Sequence, residues 1–250
     1  MVDSTTGTHD VDGVPVWFRR RPATVPDAPR VVLLHGGVSD SRVFDGMLAA
    51  LPDTLELWTY DRRGHGRTRD TDEPFGFAAM VDEGVAVITE RIGGPVHLVG
   101  HSDGADLALL LAIEHPALVA TVTSFSGNLD PSGYEAGSVS VDELDAAVGD
   151  HWARVAPHER GYFRTVAAKT IRLWLTEPQM TTADLGRITA PVLVAAGERD
   201  VIRPEHTGAI HRGIPGSRLA IVPGVGHMLV EDEAAVCAGL IEETIARASS

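Results

Sequence analysis

Gly100-His101-Ser102-Asp103-Gly104 constrains this chain more than any other stretch. It follows the apolar, strand-like run Val96-His97-Leu98-Val99 and leads directly into a helix-like run, Ala105 to His115. A strand that becomes a helix within so few residues must turn sharply, and such a turn pushes the Ser102 hydroxyl out above a sheet. The two glycines have a mechanical reason. A Cβ at position 100 or 104 would strike the neighbouring strand and helix backbones. In an ordinary glycine-rich loop the same five residues would carry no chemistry. The strand before them and the helix after them give the pattern its meaning.

The rest of the chain supplies the sheet that this turn requires. Short β-type runs at Arg30 to Leu34, Leu55 to Tyr60, Val96 to Val99, Val119 to Phe125, Val192 to Ala196 and Leu219 to Val222 are apolar almost throughout. That pattern fits central strands of a parallel sheet, buried on both faces. Helix-like segments lie between them: Ser41 to Leu51, Phe75 to Ile92, Ala105 to His115, Glu205 to Arg212 and Asp232 to Ala248. The alternation predicts an α/β fold, a mostly parallel central sheet with helices on both faces. Val14 to Arg19 reads as an antiparallel edge strand. Hydrophobic residues make up 44% of the 250, enough for one sizeable core, or for one core with an inserted subdomain.

The rhythm breaks between about 131 and 185, where no β-type run occurs. Ser140-Val141-Asp142-Glu143 fits a capping box. Helices are expected over Val141 to Val148, Asp150 to Val155 and His158 to Leu175, punctuated by Pro157 and Pro178. Residues 1–130 and 186–250 thus form one discontinuous core, and 131–185 a helical insertion placed to act as a lid. It carries Tyr134, Trp152, Tyr162, Phe163 and Trp174, a large share of the chain's rings. These rings suit an apolar or aromatic pocket, or equally the insertion's own core. Val38, Trp152, Phe163 and Trp174 are the candidate pocket residues.

Charge and composition exclude several functions. The net charge of −14 repels nucleic acid and anionic membranes. No apolar run reaches the roughly 18 residues of a membrane span. The polar N-terminus lacks the regions of a signal peptide, and Cys237 is the single cysteine, so a cytoplasmic protein without disulfides is expected. Lys169 is the only lysine, and nothing around it suggests an activated amine. There is no phosphate loop or dinucleotide fingerprint, and hence no expected cofactor. His97 and His101 stand four apart without carboxylate partners, so no metal site is expected. The partner that remains is a small molecule.

A serine hydroxyl needs a base within hydrogen-bond reach, and the base needs an orienting group. After such a turn the expected order is serine, then an acid, then histidine. Asp200 lies in Gly197-Glu198-Arg199-Asp200, after the run Val192 to Ala196. His227 closes Pro223-Gly224-Val225-Gly226-His227, after the run Leu219 to Val222. In open α/β sheets, sites form beyond the carboxyl ends of the strands, so all three residues land on one edge. Asp130, after Phe125, is the rival acid; the context of Asp200 favours it.

With His35-Gly36-Gly37 and Asp61-Arg62-Arg63-Gly64-His65-Gly66-Arg67-Thr68 added, the chain resembles the α/β-hydrolases over nearly its whole length. It is most similar to small esterase-like members with a short helical cap. The Ser102-Asp103 pair is similar to the turn of the biphenyl-hydrolase-like group. The resemblance implies a serine hydrolase acting on an ester-type acyl bond through Ser102, His227 and Asp200, with an oxyanion hole from the Asp103 and Gly37 amides. Val38 is the second choice for the latter donor. It implies a structural role for Asp61 to Thr68 and a supporting one for His35 and His101. The Asp103 side chain has two readings: complementing a helix N-terminus, or recognising an ammonium-bearing substrate. Carbon–carbon bond hydrolysis, acyl transfer and non-hydrolytic ligand binding stay open on this scaffold.

Overall fold

The computed structural model describes residues 4–134 and 139–248; residues 135–138 of the expected insertion lie outside the described residues. Eight strands form one sheet: β1 (Thr5–Val11), β2 (Val14–Arg21), β3 (Arg30–Leu34), β4 (Glu56–Tyr60), β5 (Val96–His101), β6 (Val119–Phe125), β7 (Val192–Gly197) and β8 (Arg218–Val222). Their order is β1-β2-β4-β3-β5-β6-β7-β8. β2 runs antiparallel to β1 and β4, and every pairing from β4 to β8 is parallel. This is the expected α/β architecture.

β1 is the strand that periodicity misses, because Thr-Thr-Gly-Thr-His-Asp-Val has no apolar face. Its signal is the turn that follows. Asp12 and Gly13 both have positive φ, 50° and 80°, as a two-residue hairpin turn requires.

The helices are α1 (Asp45–Ala50), α2 (Phe77–Ala86), α3 (Asp103–Glu114), α4 (Val141–Ala153), α5 (Phe163–Thr176), α6 (Thr182–Leu185), α7 (Pro204–Gly213), α8 (Leu229–Asp232) and α9 (Ala234–Ala248). One apolar layer packs α2, α3, α6 and α7 against a face of the sheet, through residues such as Leu107, Leu111 and Ile210. The other packs α1, α8 and α9 against the opposite face, through Met47, Leu229 and Ile241. Burial on both faces is why β3, β5, β6 and β7 read as continuous apolar runs.

Among the described residues the segment between β6 and β7 holds α4, α5 and α6 and adds no strand to the sheet, its one β-type contact being an isolated antiparallel bridge from Tyr134 to Ile202. The Ser140 hydroxyl accepts from the Glu143 N–H and the Glu143 carboxylate from the Ser140 N–H, the expected capping box. α4 runs unbroken through Gly149, where two helices were expected. A bare backbone there leaves room for Arg160, which bonds to Asp145 and Asp150. Trp152, Phe163, Val166 and Ala167 form a separate small core between α4 and α5. No helix among the described residues is long and apolar enough to cross a membrane.

Trp152→Ala should lower stability by about 3–5 kcal/mol, as a lost buried indole does. Urea denaturation checks this; a loss below about 1 kcal/mol would mean that this small core contributes little.

Candidate active site

Three chain crossings at the carboxyl edge of the sheet build the site. β5 ends at His101, and α3 starts at Asp103, leaving Ser102 alone to make the turn at φ 54° and ψ −124°. Gly100 and Gly104 permit this. A Cβ on Gly100 would lie 2.1 Å from the Gly104 carbonyl oxygen, and one on Gly104 would lie 2.0 Å from the Leu34 carbonyl oxygen of β3. The Ser102 N–H donates to the Phe125 carbonyl at the end of β6 (2.9 Å), which ties the turn to the next strand.

His227 reaches Ser102 from the loop after β8, with Nε2 3.0 Å from the serine Oγ. Its Nδ1 lies 2.8 Å from Asp200 Oδ1, at the end of β7. An ionised carboxylate only accepts, so Nδ1 carries the proton and Nε2 is left to accept from the serine hydroxyl. Asp200 also accepts from the Ile202 N–H (3.0 Å) and from the Ser126 hydroxyl. Burial by itself would raise the Asp200 carboxyl; the bonds to His227, Ile202 and Ser126 outweigh it and hold the group below its usual range. Asp130, the rival acid, instead caps a turn, accepting from the Ser132 N–H (2.8 Å).

The histidines around the site divide by burial. His101 lies beneath His227, their ring centroids 5.0 Å apart, and its Nε2 bonds to the His227 carbonyl (2.7 Å). A carbonyl only accepts, so this Nε2 is the protonated nitrogen. Burial, helped by nearby His227, pushes the His101 pKa down to about 3, so the ring stays neutral. His35 is also buried; its Nδ1 bonds to the Gly36 carbonyl and its Nε2 accepts from the Arg62 N–H. The buried Arg62 guanidinium bonds to the His35 and Gly36 carbonyls, and Asp61 accepts from the Ser41 and Arg67 amides. The Asp61 to Thr68 segment thus braces the loop after β3 and carries no group into the cavity.

That loop runs against the serine: a Cβ on Gly36 would lie 3.1 Å from the Ser102 Cβ. Asp103 N–H is the first amide of α3, with no carbonyl one helical turn back within its own helix. Backbone strain concentrates around this point. Val38, Ser102 and Ser126 have positive φ, at 46°, 54° and 57°, and follow β3, β5 and β6 respectively. Each such non-glycine residue costs about 1–3 kcal/mol and persists only where its surroundings over-determine it. Ser126 was not anticipated from sequence. Its only signal was its place immediately after a central strand.

A cavity of about 1080 Å³ opens over Ser102 and His227, large enough for a small organic ligand. Gly37 and Val38 form part of its wall, and the helical segment supplies Leu144, Val148, Ile171, Trp174 and Leu175. His151, Arg203 and Glu231 add polar groups to its lining. Of the four expected pocket residues, Val38 and Trp174 line it. Trp152 and Phe163 do not. They pack on each other at 5.5 Å in the small core of the helical segment, because a bulky ring pair is needed to fill the space between α4 and α5.

The Asp103 carboxyl is 1% exposed and outside the cavity wall. Oδ1 accepts from the Trp174 indole N–H (2.8 Å). Burial pushes this carboxyl up, while Arg62 and the Trp174 bond pull it down. A covered carboxyl in this position does not meet an ammonium group in the cavity.

The comparisons with known proteins agree with this architecture. The family model described as "Alpha/beta hydrolase family" matches residues 31–240. A pimeloyl-[acyl-carrier protein] methyl ester esterase from Nitrosomonas europaea is 27% identical over 233 residues, covering 82% of this chain and 90% of that protein. The enol-lactonase from Burkholderia xenovorans LB400 superposes with a TM-score of 0.79 at 17% identity, covering 96% of this chain and 99% of that one. The thioesterase domain from the curacin biosynthetic pathway superposes with a TM-score of 0.73 at 18% identity, over 96% and 99%. At such identities the two structures speak for the fold alone. With the strand order, the turn at Ser102 and the match over residues 31–240 in hand, the chain belongs to the α/β-hydrolase family.

Proposed function

We propose that this protein is a serine hydrolase that cleaves ester bonds of small, apolar or aromatic acyl compounds through an acyl-enzyme on Ser102. One observation carries the reading: a Ser102–His227–Asp200 chain of 3.0 and 2.8 Å contacts beneath a largely apolar cavity. The esterase relative supports an ester as the bond attacked.

Ser102 Oγ attacks the acyl carbonyl while His227 Nε2 takes its proton. Asp200 holds the imidazole tautomer and stabilises the imidazolium. The carbonyl oxygen becomes an oxyanion, held by the Asp103 and Gly37 amides. The first belongs to a helix N-terminus, where unpaired amides and the positive end of the dipole meet. His227 then protonates the departing alcohol. Water attacks the acyl-enzyme with the same imidazole as base, which returns the serine and releases the acid. The segment 131–185 serves as the cap, and its Leu144, Ile171 and Trp174 with Val38 form the acyl pocket. These apolar walls favour a hydrocarbon or aryl group over a charged one.

Ser102→Ala should lower kcat by about 10⁶-fold on a panel of p-nitrophenyl esters and abolish labelling by a fluorophosphonate. A Ser102→Ala protein that still labels would locate the nucleophile elsewhere. An unmodified protein that turns over no ester would overturn the reading.

The pH dependence has a definite sign. Asp200 is held below its usual range, so it is ionised wherever imidazole titrates. Activity therefore requires loss of one proton, from His227, and log kcat/KM should rise with pH by about one per unit on the acid limb. A limb twice as steep would mean that a second group must ionise. Asp200→Asn should cost about 10⁴-fold in kcat, because the wrong imidazole tautomer then faces the serine.

A further inference from the structure

Gly37 sits in a slot made by two other parts of the chain. A Cβ there would lie 2.5 Å from Asp103 Oδ2, 2.7 Å from Trp174 Cζ2 and 3.1 Å from Thr170 Cγ2. Asp103 begins α3 beside the serine, while Thr170 and Trp174 lie one turn apart on α5 in the cap. The loop after β3 is therefore held between the residue that follows the nucleophile and a helix of the cap.

The Asp103 carboxyl connects these two sides. Oδ1 accepts from Trp174 Nε1 at 2.8 Å. Oδ2 is buried, has no hydrogen-bond partner among the described residues, and lies on the Gly37 side. The Trp174 ring is also cavity wall, 6.1 Å between centroids from Tyr134. A fully buried carboxylate oxygen without a partner is costly, and the indole bond to its twin helps keep the group in place. Val38, the next residue of the loop, stands at φ 46°, a conformation that a β-branched side chain holds only under external restraint.

We infer that the Asp103 side chain and the Trp174 indole N–H are positioning groups that set the Gly37 amide for the oxyanion, so that docking of the cap completes the oxyanion hole. The inference rests on the hydrolase reading above. It gives the carboxyl a task separate from its own backbone amide. It also makes Trp174 act in two ways, by its ring on the acyl group and by its N–H on the transition state. An interaction that aligns an oxyanion donor acts on kcat, whereas one that only shapes the pocket acts mainly on KM.

Trp174→Phe keeps a ring and removes the N–H. It should lower kcat about 10- to 100-fold, a part of the ~100- to 1000-fold loss for a deleted oxyanion donor, with KM within about threefold. A boronic acid that forms a tetrahedral adduct on Ser102 should weaken by the same factor, while affinity for the product acid stays within about threefold. Asp103→Ala should show the same defect, and the double variant should be no worse than either single one. Asp103→Asn retains an acceptor for the indole and should recover about tenfold of what Asp103→Ala loses. Circular dichroism establishes that each variant is folded; if one of the alanine-bearing variants is not, the kcat, KM and boronate values of Trp174→Phe decide alone. A Trp174→Phe protein with unchanged kcat, or defects that multiply in the double variant, would overturn the inference and leave the hydrolase reading standing. Absence of ester turnover and of fluorophosphonate labelling in the unmodified protein would overturn both.

Discussion

The contact on which the rest of the site depends is backbone against backbone. α3 starts so close to β3 and β5 that Gly104 and Gly100 have no room for a side chain. This approach leaves Ser102 no conformation except a strained one, at positive φ and outside both the strand and the helix. The strain is held because the serine N–H is tied to β6 and the helix begins at the following residue. The place of Ser102 in the cavity wall, the first amide of α3 beside it and the reach of His227 all follow from that one crossing.

Around this crossing the protein buries groups that are ordinarily left in water. Arg62 lies fully inside with its N–H groups on the His35 and Gly36 carbonyls, and Asp103 lies inside with one oxygen on Trp174. Burial dominates at both groups, raising the Asp103 carboxyl and lowering the Arg62 guanidinium, and the attraction between the two opposes it in part. Burial of such a pair contributes little net stability, yet removing one partner leaves the other uncompensated. The arrangement is better understood as fixing the loop between β3 and α1. His101 does the same for the loop of His227, as a neutral ring that grips a carbonyl from below.

Much of this was legible from local pattern. The strands buried on both faces appear as unbroken apolar runs, and their carboxyl ends locate Ser102, Asp200 and His227 without any three-dimensional information. The Ser140 capping box was equally plain, since its two partners are three residues apart. Other features were hidden because their partners are distant in sequence. β1 owes its existence to pairing with β2 rather than to an apolar face. Ser126 gains a role only when Asp200, 74 residues further on, is folded against it. The aromatic residues of the helical segment look alike in sequence, and packing alone separates the Trp152–Phe163 core pair from Trp174 in the cavity wall.

The sequence by itself determined the α/β architecture, the sharp turn and the order serine, acid, histidine. Hydrophobic period, glycine spacing and strand ends are properties of neighbouring residues, so they can be read locally. Only the tertiary structure decided which groups of the helical segment meet the turn at Ser102. A buried carboxyl at position 103, a glycine at 37 and an indole at 174 come from three separate parts of the chain. Whether such groups touch depends on how the helical segment packs over the sheet, and that is set by the whole core rather than by any local run.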